Sequence, residues 1–243
     1  MKKLCSIILV LAVVLSVFVP VKTVQAKACK TVWVGDSRAV GLKKTVKTKS
    51  CKFIAKGGMS YRWFKETAIP KLKKTLKKNP DRDVVINMGV NDCANILVGG
   101  VETSGKYIKD INKLVKKYPD TRFYFLSVNP VDGNYPTSYN KKGYLSAKEL
   151  NKKINKFNKT IKKKCKASYI DCSSHLKDKG FSTIDGIHYT AKTYQEIYDY
   201  TMEYIDSDYE VIYDELCEIR WERLNKWGWV WCKPFCKWLQ ESL

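Results

Sequence analysis

Histidine is nearly absent. The 243 residues contain only two, His175 and His188, so any imidazole chemistry rests on one or the other. No two of the nine cysteines form a CxxC pair. With so few histidines, a structural metal site has no ligand set, and none is expected. Acids are scarce too: 24 Asp and Glu face 45 Lys and Arg, for a net charge of +21. Past the first twenty or so residues no stretch is long and apolar enough to cross a bilayer, which excludes a polytopic membrane protein. No internal repeat is seen. What is present is 44% hydrophobic and 28% charged residues, a balance that builds a packed core and excludes a disordered chain or a fibre. The length fits one domain, with room for an appendage.

The N-terminus reads as an export signal. Met1-Lys2-Lys3 is a basic start, Leu4 to Val19 carries no charge, and Val24 and Ala26 are small residues placed for cleavage. Cleavage follows Ala26, or Ala28 with Ala26 at −3. An uncleaved anchor over Leu4 to Val21 is the alternative. Loss of residues 1–26 removes three lysines and no acid, leaving 21 − 3 = +18, and leaves 9 − 1 = 8 cysteines. An even count in an exported chain reads as disulfides. The expected pairs are Cys29–Cys51, Cys165–Cys172, Cys232–Cys236 and Cys93–Cys217. The protein is expected outside the cell or on its surface.

Short apolar runs then alternate with helical patterns. Residues 31–34, 53–55, 84–88, 123–128 and 168–171 are continuous rather than alternating, as in strands buried on both faces of a parallel sheet. Tyr107, Ile108, Ile111, Leu114 and Val115 fall on one helix face. Ala147, Leu150, Ile154, Phe157 and Ile161 fall on another, and Tyr194, Ile197, Tyr198, Thr201 and Ile205 on a third. The β-α-β-α order predicts a three-layer α/β domain over residues 27–206. Right-handed crossovers bring the loops after the strands to one edge, where open sheets of this kind bind ligands. Residues 207–243 differ in composition and read as a Trp/Cys-rich helical extension, with five of the seven tryptophans in 221–238. Its aromatics fit a carbohydrate-binding face, a membrane-interface anchor, or cover for the core.

Four short motifs fall on that edge: Gly35-Asp36-Ser37, Gly57-Gly58, Gly89-Val90-Asn91-Asp92 and Asp185-Gly186-Ile187-His188. Each alone is weak; in this order, each after a strand, they are specific. A serine hydroxyl needs a base to become a nucleophile, and histidine is the base that works near neutral pH. A carboxylate on the far ring nitrogen fixes the tautomer and stabilises the imidazolium. Asp185 stands three residues before His188, so one turn presents both. The Ser37 N–H at a helix start, the Gly58 N–H and the Asn91 amide are three donors for one developing oxyanion. His175 has no carboxylate in a DxxH relation and reads as a surface or loop residue. Cys93 follows the third motif without a helix start or DxxH partner of its own, so Ser37 is preferred as nucleophile.

These residues resemble the SGNH hydrolases, also called the GDSL esterase/lipase family, in their secreted bacterial form. The resemblance covers roughly residues 31–206. It implies a flavodoxin-like three-layer α/β/α sandwich with a five-stranded parallel sheet, and ester hydrolysis without a cofactor. Carried over by position, Ser37 is the nucleophile, His188 the base and Asp185 its orienting carboxylate. The Ser37 and Gly58 N–H groups and the Asn91 side chain form the oxyanion hole. Arg38 departs from the family, where many relatives carry a small or apolar residue.

The function expected is an exported serine esterase removing small acyl groups, acetyl foremost, from small molecules or glycans. A lipase or thioesterase is the runner-up within the enzymes. A basic wall- or membrane-binding protein with a vestigial hydrolase core is the alternative outside them, and the complete residue set argues against it. The surplus positive charge fits an anionic cell-wall polymer or a membrane surface. No nucleic acid is expected, since no groove-reading helix, stacking set or zinc finger is present.

Overall fold

The computed structural model describes residues 31–46, 48, 51–94, 103–133 and 145–226, those beyond 208 as backbone only. The expected signal segment and the Trp-rich stretch from 227 onward lie outside these residues, as do Cys29, Cys232 and Cys236.

Five strands form one sheet: β1 (Val32–Gly35), β2 (Lys52–Ala55), β3 (Asp83–Asn87), β4 (Arg122–Leu126) and β5 (Ser168–Ile170). Every pairing is parallel, and the order is β2-β1-β3-β4-β5. This is the flavodoxin-like α/β arrangement that the resemblance implied, with the order reversing between β1 and β3. β1 and β3 are buried along their whole length. That explains why their runs are continuously apolar rather than alternating.

Helices cover both faces: α1 (Ser37–Thr45), α2 (Tyr61–Trp63), α3 (Ile69–Lys78), α4 (Val90–Ala94), α5 (Thr103–Lys117), α6 (Ala147–Lys164), α7 (Cys172–Lys179) and α8 (Ala191–Lys226). One face packs Phe64, Leu72, Tyr107, Ile111, Ile154 and Phe157 against Val34, Ile86 and Phe125. The other packs Leu42, Leu176, Ile197 and Ile205 against Trp33, Val85 and Tyr124. The three predicted helical faces are thus the buried faces of α5, α6 and α8. Ser146 and Glu149 form a reciprocal capping box at the start of α6, which fixes where that helix begins. Between α2 and α3 the chain makes a π turn, Phe64–Ala68. Pro70 cannot donate to an i−4 carbonyl, and the wider turn accommodates it without ending the helix.

α8 runs without a break through residue 206, where a change of unit was expected. Asp208, beyond that point, accepts a hydrogen bond from Tyr124 Oη at 2.7 Å, so the helix stays tied to β4.

The cysteines correct two expectations. Cys165 and Cys172 are not bonded to each other: both are free thiols. They stand on either side of β5, whose extended backbone at ~3.3 Å per residue separates them by far more than a disulfide spans. Cys172 Sγ instead accepts a hydrogen bond from Asn129 at 3.5 Å. Cys93 is also free and wholly buried, so it does not link to Cys217.

Candidate active site

β1 ends at Gly35, against the start of α1. A side chain there would place its Cβ 2.3 Å from Ala39 Cβ and 2.7 Å from the Asn87 carbonyl, so only glycine lets strand and helix meet this closely. Asp36 caps α1, its Oδ1 accepting the Arg38 N–H at 3.0 Å. Ser37 is therefore the first residue of the helix. Its own N–H is among those a helix leaves without an internal partner.

Before α8 the chain folds Asp185 and His188 into a tight turn. Asp185 Oδ1 accepts the N–H groups of Ile187 at 3.0 Å and His188 at 2.7 Å. Its other oxygen lies 2.6 Å from His188 Nδ1, and His188 Nε2 lies 2.8 Å from Ser37 Oγ. The three predicted residues meet in one hydrogen-bonded line across a separation of 151 positions. Desolvation, the largest influence on Asp185, opposes ionisation. The bonds from the His188 N–H and ring and from the Ile187 N–H together outweigh it and hold the carboxyl below its ordinary value. Ser37 Oγ therefore faces a proton acceptor that is itself oriented by an ionised carboxylate.

The loop after β2 reaches the same place. A Cβ at Gly57 would lie 3.9 Å from Ser37 Cβ. Gly58 has φ of +71° and open space where a side chain would stand, so its backbone is turned in a way L-residues rarely adopt. From the third motif, Asn91 Nδ2 donates to the Met59 carbonyl at 2.9 Å. An amide nitrogen carries two hydrogens, so the other stays available. Asp92 fastens this corner. It is buried and accepts from the Tyr61 N–H at 3.0 Å and from Tyr107 Oη at 2.9 Å. The loop carrying Gly58 is thus tied to α4 and α5 through one carboxylate.

Arg38 is turned inward rather than toward the open edge. It is 2% exposed, and no carboxylate among the described residues bonds its guanidinium. Its Nε donates to Ile187 O at 3.0 Å, Nη1 to Asn129 O at 2.6 Å and Nη2 to Pro130 O at 3.3 Å, and its guanidinium lies 4.8 Å from the centre of the Tyr189 ring. It ties the helix bearing Ser37 to the turn bearing His188 and to the end of β4. Arg38 shares a helix face with Leu42, so the buried stripe of α1 was the available signal that it points inward.

Asp36 Oδ2 is buried without a hydrogen-bond partner among the described residues. Desolvation pushes its carboxyl up to about 6, against the lowering effect of the Arg38 N–H and guanidinium. Burial also pushes the Cys93 thiol up to about 12, which keeps it protonated and unreactive beside the site.

His175 is on α7 rather than in a loop. Its Nε2 lies 2.6 Å from Glu196, and its ring stacks on Tyr200 with centroids 3.9 Å apart. The carboxylate comes from α8, 21 residues away, which a search for a local DxxH pair does not reveal.

A family model described as GDSL-like Lipase/Acylhydrolase matches residues 35–201. Among solved structures, the chain is similar to a GDSL-like lipase from Bacteroides thetaiotaomicron, with 19% identity and a TM-score of 0.54 over 77% of this chain and 90% of that one. It is also similar to a candidate SGNH hydrolase from Slackia heliotrinireducens, with 13% identity and a TM-score of 0.53 over 73% and 98% of the two chains. At these identities the likeness is one of fold. No curated protein sequence matches the chain.

Proposed function

Because the chain belongs to the GDSL-like lipase/acylhydrolase family and is an ester hydrolase, we propose that it is an exported serine esterase that removes small acyl groups, acetyl foremost, from glycans. The observation that carries this reading is the Ser37–His188–Asp185 line of hydrogen bonds at 2.8 and 2.6 Å.

Ser37 Oγ attacks the ester carbonyl carbon while His188 Nε2 takes its proton. Asp185 holds the ring in the tautomer that leaves Nε2 free to accept, and stabilises the imidazolium that forms. The Ser37 N–H, the Gly58 N–H and the free hydrogen of the Asn91 amide receive the oxyanion. When the tetrahedral adduct collapses, the bond to the alcohol oxygen breaks and the alcohol leaves with the proton from His188. Water then attacks the acyl-serine, His188 takes its proton, and the acid departs as Ser37 recovers its hydrogen. The side chains of His188 and Asp185 are 36% and 44% exposed, so water reaches the base for the second step.

Support for a small acyl group on a polar alcohol comes from the export signal and from the charge of the chain, which suits a polar polymer better than a neutral lipid. A series of p-nitrophenyl esters tests it: kcat/KM falls as the acyl chain grows from acetyl to octanoyl. A maximum at eight carbons would favour the lipase reading.

A further inference from the structure

The outer edge of β2 carries a groove of about 520 Å³. Six cationic side chains line it, Lys52, Lys56, Lys71, Lys74, Lys78 and Arg82, and no Asp or Glu is among the lining residues. The convergence is built by the fold. Lys71, Lys74 and Lys78 recur at helical spacing on α3, whose opposite face buries Leu72 and Leu76. Lys52 and Lys56 bracket β2, and Lys52 Nζ donates to Thr75 Oγ1 at 2.8 Å, fastening the edge strand to α3. The five lysines, gathered where no Asp or Glu lines the groove, repel one another, and an anionic occupant removes that repulsion.

The groove is walled by the whole length of β2, and its Lys56 end adjoins the segment that packs on Ser37. From Lys52 to Lys56 the extended chain covers about 13 Å at ~3.3 Å per residue. Ala55 lies in register with Gly35, and the Lys56 N–H donates to Gly35 O at 3.2 Å. The next residue, Gly57, is the one whose Cβ would stand 3.9 Å from Ser37 Cβ. The Lys56 end of the groove is therefore one residue along the chain from the glycine beside Ser37.

We propose that this groove holds the substrate's polymer, an anionic polysaccharide whose ester-bearing sugar sits at Ser37 while its acidic sugars lie along Lys56, Lys52 and the α3 lysines. The inference rests on the esterase reading and supplies its substrate class. A single-stranded nucleic acid fits less well. Its bases need a series of open stacking platforms. Of the two aromatic rings that line the groove, Phe53 is already stacked on Trp33, leaving only the half-buried Trp63.

Two measurements test the groove and the chemistry separately. The first is steady-state kinetics on O-acetylated polygalacturonate and O-acetylated neutral xylan at low salt. The wild type prefers the acidic polymer by about tenfold, within the range of electrostatic focusing. The triple variant Lys71→Gln/Lys74→Gln/Lys78→Gln brings that ratio near unity by raising KM on the acidic polymer, and about 0.5 M NaCl does the same to the wild type by screening. Equal rates on the two polymers, or a preference that survives the triple substitution, overturns the proposal. The second is retention of the Ser37→Ala protein on immobilised, unacetylated polygalacturonate, which reads the groove without the reaction. Retention that is lost in the same protein carrying the triple substitution supports the groove, even if no ester is turned over and the esterase reading falls. Absence of retention, or displacement by single-stranded DNA at concentrations where polygalacturonate itself does not compete, refutes it.

Discussion

Replacing Arg38 with alanine tests whether the site is held together from beneath. The guanidinium serves the carbonyls of Ile187, Asn129 and Pro130 at 3.0, 2.6 and 3.3 Å. Pro130 O keeps a second donor, Tyr189 Oη at 2.6 Å, so truncation leaves two carbonyls without this partner. A buried acceptor left unsatisfied costs about 1–3 kcal/mol. Two of them, with the cavity left by the side chain, put the loss near 3–4 kcal/mol, a large share of the roughly 5–15 kcal/mol that holds a typical domain folded. Activity falls further than stability alone requires, because Ile187 adjoins His188. A displacement of the base by about 1 Å from Ser37 Oγ costs on the order of 10² in rate. Arg38→Lys recovers less than half of either loss, since an ammonium cannot serve three carbonyls arranged for a planar fork. Urea unfolding followed by circular dichroism gives the first quantity, and kcat measured well below the unfolding midpoint gives the second. A loss under about 1 kcal/mol with kcat unchanged would refute the reasoning, because it would mean that water replaces the guanidinium at no cost.

Two further outcomes follow from the same geometry. Asn91→Ala lowers kcat by about 10²–10³ with KM little changed, as expected for one lost oxyanion donor; unchanged kcat on p-nitrophenyl acetate would remove Asn91 from the reaction. Asp36 gives the fold a pH dependence. Its folded carboxyl titrates at about 6 against an ordinary 3.8, so the folded state binds the proton more tightly than the unfolded one. Stability from this group therefore falls as pH rises from about 4 to about 6 and is level above that, a change of about 3 kcal/mol for roughly two units. In Asp36→Asn, urea midpoints measured from pH 4 to 7 lose that slope; the same slope in both proteins would assign it to another group.

Periodicity made the sheet and three of its covering helices legible, because β1 and β3 are buried on both faces and α5, α6 and α8 each bury one clean stripe. The helical stretch from Tyr61 to Lys78 was harder to see: lysines crowd the stripe of Ile69, Leu72 and Leu76, and Pro70 argues against a helix until the π turn is known. Ser37 could be placed at the ligand-binding edge on paper because it directly follows β1; Asp185 and His188 were expected there after the last strand, although α7 in fact stands between them and β5. What sequence could not supply was contact between distant segments. Arg38 stood out only as a departure from the family, yet its partners are carbonyls 91, 92 and 149 positions away. Glu196 beside His175 was hidden for the same reason. The Cys165–Cys172 pairing failed because closeness in sequence was taken for closeness in space, and an extended strand separates the two.

Turnover of p-nitrophenyl acetate by the wild type beside Ser37→Ala is the most direct test of the central claim. The account predicts hydrolysis that vanishes to background in the variant, with the variant's unfolding midpoint unchanged. Turnover that survives the loss of the Ser37 hydroxyl would contradict it, and the line from Ser37 through His188 to Asp185 would then have no part in the reaction.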